Sequence, residues 1–97
     1  MVLILNTVLT VGTDAVIALI DRRGIDNKRI SYILQNISTG GQKITLSTGK
    51  PAVSLQGRTL YVGGTEDRTP EQRPPQEEIY AISDLAGATL AIYEESE

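Results

Sequence analysis

The sequence predicts an all-β protein, either a small antiparallel β-sandwich or a jelly-roll-like barrel of about seven or eight short strands. Short segments in which apolar and polar residues alternate recur about every 8–12 residues, separated by Gly, Pro, Asn or Asp. No segment keeps a helical period with caps, so we expect no helix. A length of 97 residues suits a single domain spanning residues 1–97.

The composition predicts an aliphatic core and argues against an enzyme. The chain has no Trp, Phe, Cys or His, and its aromatic residues are 4 tyrosines. Without His the commonest general base and the commonest metal ligand are missing, so we expect no catalytic site, no cofactor and no metal. The net charge of -3 comes without a basic stripe, and we therefore expect no binding to nucleic acid.

The first strand is predicted at residues 2–11 and is apolar on both faces. Leu3, Leu5 and Leu9 share one face, and Val2, Ile4 and Val8 share the other. Two interpretations follow: the strand is buried within its own domain, or residues 1–11 form an arm that a neighbouring subunit covers. The segment lacks the positive start of a signal peptide and is too interrupted to cross a membrane, so we expect an intracellular product that binds no membrane.

The later strands follow in order, each bounded by turn formers. They are predicted at residues 15–20, 29–37, 43–47, 52–55 (a short extended piece), 58–62, 79–83 and 88–93. In the third strand Ile30, Tyr32 and Leu34 share one face. The last two strands are predicted to form a hairpin that closes the fold, with its turn at residues 83–87.

Residues 63–78 differ from the rest of the chain. They hold three of the 4 prolines and no large apolar residue. The segment is therefore predicted to be an exposed Pro-rich loop. Its two arginines, Arg68 and Arg73, suit surface recognition, and the alternative is a solvated loop without a partner.

Other polar groups give weak signals of chemistry. Asp14, Asp21 and Asp26 lie in successive loops but lack the spacing of a calcium loop, so we interpret them as solvated turn residues. Residues 47–50 are similar to part of a phosphate-binding loop. Pro51 follows them, and no helix is predicted after it, so we reject a phosphate-binding loop at this position.

The last residues and the tyrosines have simpler interpretations. The terminal acids Glu94, Glu95 and Glu97 are expected to form a frayed, solubilising end. The tyrosines at 61, 80 and 93 could lie at an interface, where tyrosine is enriched, or on a sheet face against a long loop.

Four segments together carry a family resemblance. Residues 29–38, 44–49, 79–83 and 87–92 resemble the small β-sandwich virion proteins of tailed phages and related viruses. That family comprises capsid decoration (cement) proteins, head fibres and spikes, and the resemblance implies no catalytic motif. It extends over roughly residues 14–95, and residues 63–78 depart from it as an insertion would.

The resemblance implies a non-enzymatic virion structural protein that decorates or cements a capsid by binding across capsomers. Its expected partners are the major capsid protein or another virion protein, and it would form a trimer or pentamer. Its expected location is the capsid surface, after synthesis in the host cytoplasm. The candidate contact residues are Leu3, Leu5, Leu9, Tyr61, Arg68, Arg73, Tyr80 and Tyr93. The alternatives are a ligand-binding β-sandwich module of the carbohydrate type, or a spike or vertex protein.

Overall fold

The computed structural model describes residues 2–97, which form eight strands and one turn of 3-10 helix. The elements are β1 (Leu3–Val11), β2 (Val16–Leu19), β3 (Arg29–Asn36), β4 (Ile44–Thr48), β5 (Arg58–Leu60), β6 (Thr65–Arg68), the 3-10 helix Pro70–Gln72, β7 (Ile79–Ser83) and β8 (Ala88–Ser96). The predicted all-β class is confirmed.

The strands form two four-stranded antiparallel sheets. The first sheet has the order β1-β8-β3-β6, and the second has the order β2-β7-β4-β5. Strand β1 pairs with β8, β2 with β7, β3 with β6 and β4 with β5, so the pairs are nested about the connection between β4 and β5. A long hairpin that is rolled up in this way gives the eight-stranded jelly roll.

The predicted closing hairpin is wrong, because β7 and β8 lie in different sheets. Strand β7 pairs with β2 and β4, whereas β8 pairs with β1 and β3. The turn between them carries the chain from one sheet to the other. Gly87 there has a φ of 78°, which a residue with a side chain rarely adopts. The same turn residues serve a hairpin and a crossing between sheets, so local sequence could not separate the two.

The core between the sheets is aliphatic, as the composition predicts, with one tyrosine. Leu34 and Leu90, from neighbouring strands of the first sheet, have no exposed surface, and Ile79 and Ile44 cover them from the second sheet. Tyr32 is also buried, and its hydroxyl donates to Glu66 Oε2 at 2.8 Å. Burial and this hydrogen bond raise the pKa of Tyr32, so the hydroxyl stays protonated as a donor.

The prediction of one exposed loop at residues 63–78 is wrong for part of that segment. Strand β6 pairs with β3, and Pro70–Gln72 form the 3-10 helix. Glu66 of β6 is buried, where it accepts hydrogen bonds from Tyr32 and from Arg58 Nε at 2.5 Å. An edge strand forms through backbone pairing and needs no apolar residue, so the apolar pattern could not reveal β6.

Truncating the core should cost much more stability than truncating the outer face of the same strand. We expect Leu34→Ala to lower the free energy of unfolding by about 2–5 kcal/mol, because the fully buried side chain leaves a cavity. Ile33→Ala, one residue earlier and half exposed on the outer face, should cost less than about 1 kcal/mol. Urea unfolding measures both values, and equal losses would contradict the assignment of the two faces.

Candidate functional site

Strand β1 is the most unusual surface of the molecule. It lies at the edge of the first sheet, and within residues 2–97 it pairs with β8 alone. Its nine residues include no charge and no proline. Ile4 is 63% exposed and Val8 58% exposed. Natural edge strands usually carry charges, prolines or bulges that prevent pairing with other chains. The free side of Leu3–Val11, called the β1 edge below, lacks all three.

The inward face of β1 is covered along only part of its length. Leu9 packs against the core and Val11 is fully buried, but Leu3 and Leu5 remain half exposed on the same face. Only the Val11 end of β1 therefore packs on the core. The interpretation that β1 is buried within its own domain is therefore wrong for residues 3–8.

A shallow groove of about 240 Å³ runs across the outer face of the first sheet. Its lining residues are Asn6, Ile33, Gln35, Ala91, Ile92 and Tyr93. Tyr93 stands opposite Asn6 on one side and opposite Ile33 on the other. Its hydroxyl donates to Glu95 Oε1 at 2.6 Å, and this hydrogen bond raises the pKa of Tyr93. The groove thus combines one tyrosine with two side-chain amides.

A buried ion cluster lies on the inward face near the end of β8. Glu94 is 2% exposed and accepts from Arg22 Nε at 3.0 Å and from Arg22 Nη2 at 2.8 Å. Arg29 Nε donates to the same carboxylate at 2.6 Å, and the Arg29 side chain is fully buried. The Arg22–Glu94–Arg29 cluster therefore joins the loop after β2 and the start of β3 to the end of β8.

The same arginine also holds the segment before β7. Arg29 Nη1 donates to the carbonyls of Glu77, at 3.1 Å, and of Pro75, and Nη2 donates to the carbonyl of Ile20 at 2.6 Å. Gln76 accepts from the Arg29 backbone N–H at 2.7 Å and donates to its carbonyl at 3.0 Å. The proline-rich chain is thereby tied to the sandwich.

The prediction of a frayed acidic end is wrong for Glu94. Strand β8 runs on to Ser96, and Glu94 continues the inward-facing series of β8. Burial by itself would raise the pKa of Glu94. The hydrogen bonds and charges of Arg22 and Arg29 outweigh burial, and the pKa lies below its usual value. The carboxylate is therefore ionised at neutral pH.

The predicted contact residues do not form one surface. Leu3, Leu5 and Leu9 lie on β1, and Tyr93 lies next to β1 but on the opposite face of the sheet. The others are elsewhere: Tyr80 in the second sheet, Tyr61 exposed after β5 beneath Lys43, Arg68 at the end of β6, and Arg73 after the 3-10 helix.

Sequence reasoning missed two parts of this arrangement. Asn6, Ile33 and Gln35 line the groove, and only the pairing of the strands brings them together. Glu94 had a usable signal, because the period of two that runs through Leu90 and Ile92 places it on the core face.

Comparisons with known proteins add no family to this description. No protein-family model matches the chain, and no curated protein is significantly similar to it in sequence. Across residues 2–97, no helix has the length and apolar character needed to cross a membrane.

Removing the Glu94 charge should destabilise the fold in a pH-dependent way. We expect Glu94→Gln to cost about 3–5 kcal/mol of unfolding free energy at pH 7, because two arginines lose their buried counter-charge. The pKa of Glu94 is lowered by folding, so this stabilisation is present above the unfolded pKa of about 4.3 and is lost as the pH falls through the folded value. The difference in unfolding free energy between the wild type and Glu94→Gln should therefore become smaller as the pH falls. Urea unfolding from neutral to acidic pH measures this difference.

Glu97→Gln is the matched control, since it removes an exposed carboxylate three residues further on. It should change stability by less than about 0.5 kcal/mol. A Glu94→Gln protein as stable as the control, or a gap that stays constant as the pH falls, would show that the cluster does not hold the fold.

Proposed function

We propose that the protein is a non-enzymatic structural component of a virion, which decorates or cements the capsid. The observation that carries this proposal is the β1 edge, an uncharged and half-exposed strand to which no other strand of residues 2–97 pairs on that side. The resemblance of residues 29–38, 44–49, 79–83 and 87–92 to phage virion β-sandwich proteins points to the same role.

The β1 edge suits docking onto another protein. An exposed edge offers backbone N–H and C=O groups, to which an extended segment of a partner can add as a new strand. The apolar side chains Ile4 and Val8 would then lose their contact with water. The proposed partner is the major capsid protein or another virion protein. Cementing means that capsid disassembly must break many such contacts at the same time.

The rest of the molecule presents this edge rigidly. Strand β1 is held along its whole length by β8, from Leu3 opposite Ser96 to Val11 opposite Ala88. The end of β8 is in turn anchored by the Arg22–Glu94–Arg29 cluster. A preorganised edge loses less conformational entropy on binding than a mobile arm does.

The family resemblance implies a ring of three or five copies at the capsid surface, which is the alternative to a twofold pair of copies. Three copies suit a local three-fold site and five copies suit a vertex, and closed rings of this kind need a head-to-tail interface. A spike or vertex protein is the variant of the same function in which the ring lies on the five-fold axis.

Binding to capsids tests the proposed function directly. The wild-type protein should sediment with decoration-free capsids of the virus that encodes it. Val8→Lys should weaken this binding by at least about tenfold, because docking would then bury a charge on the edge. Val53→Lys, which changes an equally exposed valine between β4 and β5, is the control and should bind as the wild type does. Failure of the wild type to bind, or normal binding by Val8→Lys, would contradict the proposal.

The groove favours one second function, a carbohydrate-binding module. Aromatic rings stack on sugar faces, and the amides of Asn6 and Gln35 beside Tyr93 could bond sugar hydroxyls. A glycan array separates this function from the first: it predicts specific binding that Tyr93→Ala abolishes and that Tyr80→Ala, in the second sheet, retains. An array without specific binding would exclude it.

A further inference from the structure

We infer that two copies of the chain pair through their β1 edges, antiparallel about a twofold axis, and so join their first sheets into one continuous sheet. The inference rests on strand geometry and does not depend on the virion role. A twofold pair also differs from the ring of three or five copies that the sequence resemblance implies, so a single mass measurement separates the two.

The hydrogen bonds of the first sheet show which backbone groups of β1 are free. The N–H of Ile37, just after β3, donates to the carbonyl of Thr89 at 3.0 Å, so Thr89 bonds towards β3. Because the direction of bonding alternates along a strand, even-numbered residues of β8 bond towards β1. Their register partners are the odd-numbered residues of β1. The β1 residues whose N–H and C=O groups point away from the sheet are therefore Ile4, Asn6, Val8 and Thr10.

These free groups match a second copy of the same strand. When Thr7 faces Thr7 of the second copy across the axis, Ile4 pairs with Thr10 and Asn6 pairs with Val8, so all four residues form hydrogen-bonded pairs. This register uses the whole strand, since Leu3 then faces Val11. A register shifted by two residues would pair Thr10 with Val2, which lies outside β1, so fewer residues of the strand would be paired.

The side chains are compatible with the same pairing. On the inward face Leu5 would stand opposite Leu9 of the second copy, and Thr7 opposite Thr7. Such apolar and threonine pairs stabilise adjacent strands. No charge occurs anywhere in Leu3–Val11, so no repulsion opposes the approach of two identical edges.

The other edges of the two sheets are poor competitors. Strand β6 has four residues, three of them charged. Strand β5 has three residues, and β2 has four residues with a register shift between Ile17 and Leu19. Short, charged or bulged edges resist pairing. The β1 edge is longer than the other three edges and carries no charge, so the same edge of a second copy is its best-matched partner.

The expected dimer is moderate in strength. A standard protein interface buries about 800 Å² on each partner, and one nine-residue strand offers less than this. The native mass should therefore rise from monomer to dimer with concentration and go no further. Light scattering over a dilution series provides this measurement.

A single introduced cysteine can report the register between the two β1 strands, because the chain has no cysteine of its own. Thr7→Cys should form a disulfide-linked dimer under mild oxidation, since residues opposite each other in a non-hydrogen-bonded pair have Cα atoms about 4.5 Å apart, within disulfide range. Thr10→Cys, also exposed on β1, is the control. Its thiol would face Ile4 of the second copy, so it should remain uncrosslinked.

Opposite charges at the axis provide a second test that does not depend on oxidation. Thr7→Lys alone and Thr7→Glu alone should both be monomers, because two like charges would meet at the axis. An equimolar mixture should recover the dimer. Urea unfolding of each variant checks that it remains folded.

Three results would overturn the inference. They are a wild type that is monomeric at all concentrations, a trimer or pentamer by mass, and crosslinking by Asn6→Cys or Thr10→Cys in place of Thr7→Cys. The β1 edge can hold one added strand at a time, so a capsid segment and a second copy would compete for it. A dimer that does not bind capsids would contradict the proposed function, and a monomer that binds capsids would contradict the dimer.

Discussion

The buried carboxylate of Glu94, held between Arg22 and Arg29, is the constraint on which much of the architecture depends. Buried charges are costly unless they are paired and hydrogen-bonded, so three separate segments must meet in one geometry. Arg29 adds bonds to the backbone of the segment before β7. The cluster sets where the end of β8 lies. Through β8 it also sets the position of β1, whose pairing in residues 2–97 is with β8 alone.

The arrangement explains why an apolar strand is exposed. Strand β8 continues past its aliphatic inward residues to Ser96, and the ion cluster around Glu94 stabilises this extension. Strand β1 follows β8 over this full length, but only the Val11 end of β1 packs on the core. Residues 3–8 are therefore ordered by their neighbour but not buried by the second sheet. An ordered, uncharged edge is a surface suited to assembly, and this feature is common to both proposals above.

Local sequence could predict the strands but not their arrangement. Period-two alternation located β3, β4, β7 and β8 to within a few residues, because one face of each strand packs on the core. It could not show that β7 and β8 belong to different sheets, since that depends on distant partners. It also could not reveal β6, which has no apolar residue. A charge normally marks an exposed position, so the sequence predicts a solvated end at Glu94. The arginines that pair with it are 72 and 65 residues away, and local sequence cannot show that they meet.

The most direct test of the account is amide hydrogen exchange along β1, followed by NMR as a function of protein concentration. The free side of β1 is proposed to pair with the same strand of a second copy. In dilute protein the N–H groups of Asn6 and Val8 should exchange fast while that of Thr7, bonded to β8, is protected. At high concentration Asn6 and Val8 should become protected as well, whereas exchange in β6 should stay unchanged. Fast exchange of Asn6 and Val8 at every concentration would contradict the account.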